Sequence, residues 1–198
     1  MNPNSLRLAF APVAGLLATI LLLLAPPAPP PAAAAAPARA SAAACPGAHQ
    51  PPTTGPRTVK AIRCLLNRER RARGLAPLRP DPRLARAARG HARDMVQRRY
   101  FGHVAPGNVT VVDRVRRARY LAGARRWTVG ENLAWGTGRL ATPAQIVRGW
   151  MRSPGHRANI LSPSFREIGI GVARGVPVAG AAAGKRAGAT FTTTFGAR

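Results

Sequence analysis

Between Arg57 and Arg73 the apolar positions Val59, Ala61, Ile62, Leu65 and Leu66 recur at the spacing of one helix face, and Gly74 follows as a stop. A second stripe, Leu84, Ala88, His91 and Met95, runs to about Arg99 behind Asp81 as N-cap and Pro82 at the first helical position. His91 therefore falls on the buried side of that helix. Leu75 and Leu78, in the Pro-punctuated connection between the two, read as core plugs. The run RRYFGHVAPGNVTVVDRV turns at Pro106 and Gly107 and enters a short helix on Val111, Val112 and Val115. WTVGENLAWG is too short and too Gly-bounded for a helix that packs alone, and reads as a loop or short strand. Thr142 and Pro143 then open the helix AQIVRGWMRS. In WMRSPGHRANIL, Pro154 and Gly155 read as a tight turn that aims His156, with Trp150, Ile160 and Leu161 anchoring both sides in the core. REIGIGVARG and ATFTTTFGA carry strand patterns, joined by an Ala/Gly loop from Val176 to Gly188. Helices first and strands last make an α+β domain.

The beginning of the chain has a different pattern. Arg7 precedes an apolar run from Leu8 to Ala25, and PPAPPPAAAAAPARASAAA follows. That order is the one of a secretory signal peptide, with Ala-x-Ala cleavage sites between Ala32 and Ala44. An uncleaved anchor is the alternative, because the apolar run approaches the roughly 20 residues a spanning helix needs. Residues 1–44 are thus read as signal peptide and Ala/Pro-rich spacer, and residues 45–198 as one domain of about 150 residues. Cys45 lies too far past the apolar run, and lacks the usual Leu, for a lipoprotein site. With Cys64 it forms the only cysteine pair. In an exported protein this is most simply a disulfide, closing a loop of about 20 residues and contributing about 3 kcal/mol.

Charge changes the picture less than its size suggests. The chain holds 31 Lys plus Arg against 6 acids, a formal net charge of +25. The arginines are spread over every helix, and only 5% of residues are aromatic, which leaves little to stack bases on. Specific nucleic-acid binding is not expected. Attraction to anionic surfaces such as wall polymers or lipid headgroups is.

The motifs LLNRERRARGLAPLRPDPRLARAARGHARDM, YFGH, GENLAWG, WMRSPGHRANIL, EIGIGVA and TTTFG, in that order, resemble the CAP superfamily of cysteine-rich secretory, antigen and pathogenesis-related proteins, the SCP domain, in its short bacterial secreted branch. The resemblance covers about residues 58–196. It implies a three-layer α-β-α sandwich with a central antiparallel sheet and a cleft lined by two histidines and two glutamates, where some members bind zinc or another divalent cation. Carried over residue by residue, these are His103 after YFG, Glu131 of GEN and His156 of GHR. Where eukaryotic members carry the fourth, a glutamate, this chain has Ser153, and Glu167 is the nearest substitute. The family has no settled activity; protease claims attach to some members, and lipid or sterol binding to others.

Chemistry independent of the resemblance supports the grouping. Imidazoles and a carboxylate are ordinary zinc ligands. Glu131 stands in an otherwise apolar stretch, where an unpaired carboxylate would be costly to bury. The same three residues can equally form a structural hydrogen-bond network tying loops to the sheet, with Asn132 and Asn159 bracing backbone and Trp150 in the core or cleft wall. Ser153 and His156 do not make a hydrolase site, since no Gly-x-Ser-x-Gly elbow is present. Three functions follow as expectations. The first is a secreted, monomeric, non-catalytic module whose cleft takes a divalent cation or a small apolar or lipid-like ligand. The second is a metal-assisted hydrolase with a water held by His103 and His156 and Glu131 as base. The third is an arginine-driven binder of polyanions or the cell envelope without a functional cleft.

Overall fold

The computed structural model describes residues 44–178 and 188–198. The signal-peptide reading and most of the Ala/Gly loop lie outside the described residues. The elements are α1 (Pro56–Arg71), β1 (Arg79–Pro80), α2 (Pro82–Arg98), α3 (Val111–Arg117), β2 (Thr128–Thr137), α4 (Pro143–Arg152), α5 (Pro154–Leu161), β3 (Glu167–Arg174) and β4 (Gly188–Ala197). The sheet order is β1-β3-β4-β2; the two-residue β1 runs parallel to β3, and the other pairs are antiparallel.

Alternation in β3 builds the layers. Ile168, Ile170 and Val172 enter one core with Ile62 and Leu66 of α1, Trp150 of α4, Ile160 of α5, and Phe191 and Phe195 of β4. On the opposite face, a Cβ at Gly169 would collide with the backbone of Leu84 and Ala85, and one at Gly171 with that of Ala88 and Arg89. Bare glycines thus let α2 lie directly on the sheet. Leu84 and Ala87 of α2 form a smaller core with Val115 of α3, Ala118 and Tyr120. The result is an α-β-α sandwich, with α2 and α3 on one face and α1, α4 and α5 on the other.

One local expectation is narrowed and another changes. Of the loop or short strand expected for WTVGENLAWG, the strand forms, and it is long: all ten residues from Thr128 to Thr137 pair with β4, a ladder that outweighs the weak strand propensity of its Gly, Asn and Glu. Pro154 and Gly155 are not a tight turn but the first residues of α5. Extended Ser153 precedes a proline at the first helical position, whose missing N–H is no loss there, and the Arg157 amide bonds the Ser153 carbonyl.

Two further ties position the site. The Cys45–Cys64 disulfide, with Cα atoms 5.6 Å apart, holds the start of the domain against α1. Arg70, 1% exposed, donates to the carbonyls of Ala76, Ile160, Ser162 and Phe165. Its cation meets the negative end of α5 and satisfies the carbonyls there, locking the helix that carries His156. Burial, then the nearby Arg166, lowers the Arg70 pKa.

Candidate functional site

Glu131 lies opposite Thr194 of β4, whose other neighbour in register is Gly169 of β3, so its side chain stands on the α2 face of the sheet. The carboxylate is 2% exposed. A charge buried this deeply requires partners, and Arg114 of α3 supplies the main one. Its Nη2 donates to Glu131 Oε1 at 3.0 Å and Oε2 at 2.9 Å, and to the His103 carbonyl at 2.9 Å, while Nη1 donates to the Val109 carbonyl at 2.9 Å. A capping box fixes the helix that delivers it: Thr110 accepts from the Asp113 amide, and the Asp113 carboxylate accepts from the Thr110 amide.

His103 places Nδ1 3.0 Å from Glu131 Oε1. Because the carboxylate only accepts, Nδ1 carries the proton, which leaves the Nε2 lone pair on a side chain that is 57% exposed. His91 is buried on the other side, 3.8 Å from Glu131 Oε1. Its Nε2–H donates to the Gly102 carbonyl at 3.0 Å, and the Tyr100 hydroxyl, which donates to Asp94, lies 3.3 Å from Nδ1. Burial, followed by the bond to Asp94, pushes the Tyr100 pKa up.

His156, in the first turn of α5, is held by its backbone: Asn132 Nδ2 donates to its carbonyl at 3.0 Å. Asn159 Nδ2 bridges the Glu131 carbonyl and Asn132 Oδ1, and Trp150 Nε1 donates to the Leu133 carbonyl. Side chains of α4 and α5 thereby satisfy carbonyls of β2, an outer strand of the sheet. Partial burial, then the charge of His103, lowers the His156 pKa, so the two imidazoles lie within electrostatic reach of each other.

Glu167 does not join the group. It accepts from the Tyr120 hydroxyl at 2.7 Å and lies 3.8 Å from Arg79, at the start of β3, with two strand spacings between it and β2. Ser153 serves as the junction between α4 and α5. The decisive residue that the sequence reading passes over is Arg114. Its one signal is position: it falls on the same helical stripe as Val111, Val115 and Ala118, where a charge needs a buried partner.

These donors do not fit a catalytic zinc. Such a site needs about three protein ligands besides water. Here the carboxylate is taken on both oxygens by a guanidinium, and no three ligating His, Cys, Asp or Glu side chains converge among the described residues. Arg114 supplies the positive charge to which the carboxylate binds.

His91 and His156 both carry lowered pKa values, each chiefly from burial. The folded state therefore holds them neutral, whereas the unfolded chain takes up protons below about pH 6.5. The stability they contribute is complete above that pH and declines as pH falls toward their folded pKa values. Thermal melts from about pH 8 to about pH 5 should show a falling Tm that is partly flattened by His156→Gln. A Tm that rises on acidification over this range would contradict the assignment.

Fold and cluster together define a sandwich whose outer strand, lead-in loop and α3 converge on one buried carboxylate, with α5 tied to the same strand through backbone carbonyls. The model of the cysteine-rich secretory protein family, CAP, matches residues 64–177, more than half of the chain, and the chain belongs to that family. It is 38% identical over 123 residues to the uncharacterized protein YkwD of Bacillus subtilis (strain 168), covering 60% of this chain and 45% of that protein. It is 35% identical over 115 residues to the uncharacterized membrane protein YlbC of the same organism, covering 58% and 31%. The chain thus spans less than half the length of these curated relatives. An extracellular protein containing an SCP domain from Bacillus anthracis str. Ames superposes with a TM-score of 0.53 at 28% identity, covering 73% of this chain and 44% of that one. An outer surface protein of Borrelia burgdorferi gives 0.53 at 20% identity, covering 71% and 92%, which speaks for the fold alone.

Proposed function

We propose that the protein is a secreted, non-catalytic binding module that works at the cell envelope. The observation that carries this reading is the commitment of Glu131, whose two oxygens are engaged by Arg114 and His103 inside the fold. A carboxylate that accepts three internal hydrogen bonds and is 2% exposed offers little access to a substrate proton or an attacking water, which weakens the base the hydrolase reading requires. The exposed side of the cluster suits contact. Phe101 and Val104 flank His103 and are 44% and 53% exposed, an apolar surface for a lipid-like ligand. The excess of cations favours anionic envelope polymers and headgroups. The signal-peptide pattern supports export, as does the extracellular description of the SCP-domain neighbour from Bacillus anthracis.

Co-sedimentation with vesicles containing anionic lipid tests binding, and turnover of peptide and ester substrates tests catalysis. The wild-type protein should sediment with the vesicles and lose retention when Phe101→Ser and Val104→Ser are combined. It should show no turnover distinguishable from Glu131→Gln. Hydrolysis that Glu131→Gln abolishes in a folded protein would overturn the proposal in favour of the hydrolase.

A further inference from the structure

Behind the cluster, α2, α3 and the loop from Ala105 to Val109 line an open pocket of about 340 Å³. His91 and Arg114 reach its wall, whereas His103, Glu131 and His156 do not. Its size lies at the small end of ligand pockets, which run from about 300 to 1,000 Å³. Ala87, Gly90, Ala105, Val109 and Ala118 give it an apolar floor. At Gly90, in the middle of α2, a Cβ would meet nothing within 4 Å, so the glycine opens space rather than relieving a clash. A mid-helix glycine costs about 1 kcal/mol relative to alanine, and nothing in the packing requires it here.

The rim carries four arginines, Arg86, Arg98, Arg114 and Arg117, and one acid, Asp94. Arg114 is neutralised by Glu131, and Asp94 lies 3.8 Å from Arg98. Among the described residues, neither Arg86 nor Arg117 forms an ion pair, although the Asp113 carboxylate feels the charge of Arg117. All six acids of the chain are engaged: Glu69 with Arg73, Asp81 capping α2, Asp94 with Tyr100 and Arg98, Asp113 capping α3, Glu131 with Arg114, and Glu167 with Tyr120 and Arg79. Arg86 and Arg117 therefore bring two guanidiniums outside any ion pair to the mouth of an apolar pocket.

We infer that this cavity binds a phosphomonoester with a short apolar substituent. The phosphate dianion matches these two guanidiniums, which donate in the planar fork geometry that phosphate oxygens accept, and the substituent lies over Gly90 and the alanines. A carboxylate would match only one of the two charges. A neutral apolar molecule would leave both unmatched and gain nothing from the rim.

Isothermal titration of the full chain with hexyl phosphate, hexanoate, hexanol and inorganic phosphate tests the inference. Hexyl phosphate should bind at one saturable site, more tightly than hexanoate or inorganic phosphate, with no binding of hexanol. Arg86→Gln and Arg117→Gln should each weaken it about tenfold, the scale of one lost charge-assisted bond, while Arg116→Gln, outside the cavity, should leave it unchanged. Gly90→Leu fills the pocket with a good helix former and should abolish binding without lowering Tm. Absence of hexyl phosphate binding, equal binding by Gly90→Leu, or inorganic phosphate binding as tightly as hexyl phosphate would each overturn the site. The Phe101 and Val104 surface is separate from these residues, so vesicle binding can fail or succeed independently.

Discussion

Arg114→Met should cost about 3–5 kcal/mol of stability, the range for stripping one partner from a buried ion pair. The loss arises less from the bond removed than from what it leaves behind: a 2% exposed Glu131 carboxylate with only His103 hydrogen-bonded to it, and the His103 and Val109 carbonyls without their donor. Chemical denaturation at neutral pH should show the loss. A variant within about 0.5 kcal/mol of wild type, the usual size of a surface effect, would mean the guanidinium is dispensable.

Gly171→Val should be at least as damaging, through sterics alone. An added Cβ would sit against the Ala88 and Arg89 backbone, and backbone cannot rotate away as a side-chain tip can. Either α2 lifts from the sheet or β3 bends. Overpacking of an ordinary core costs about 1–3 kcal/mol, and a collision with helix backbone belongs above that range. The expected outcome is a protein with no cooperative melt, or one with a greatly lowered Tm. A soluble, cooperatively folding Gly171→Val of near wild-type Tm would show that the close approach of α2 is not required.

How much of this was legible in the sequence depended on whether one residue's role could be stated without its neighbours. The stripes of α1 and α2 and the alternation of β3 could be seen, because Ile62, Leu66, Leu84, Met95, Ile168 and Ile170 each report burial through their own side chains. β2 was legible only as a loop or short strand, because its pairing with β4, not its composition, gives it its full length. His103 and Glu131 were legible through motifs as a pair, and the structure brings them together. Glu167 was misassigned because nearness along the chain to the EIGIGVA strand says nothing about distance across the sheet, where Tyr120 claims its carboxylate. Arg114 and Arg70 were hidden by abundance. Among 31 basic side chains, these two look like the rest unless their place on an apolar stripe is noticed.

The Glu131–Arg114 pair also explains how a chain lacking the second glutamate can keep the remaining cluster ordered. The guanidinium forks across both carboxylate oxygens and reaches back to the loop carrying His103, so one side chain joins α3, β2 and that loop. Asn132 and Asn159 then tie the same strand to α5. The loop of His103 and the helix of His156 are thus both fastened to β2.

A double-mutant cycle between Glu131→Gln and Arg114→Met measures that arrangement. If the two side chains form one internal ion pair, each single substitution should be strongly destabilising, and the double variant should cost clearly less than their sum, with a coupling of about 1.5–3 kcal/mol. Additive losses would mean that the carboxylate and the guanidinium act separately, and that Glu131 is free for the chemistry this account denies it.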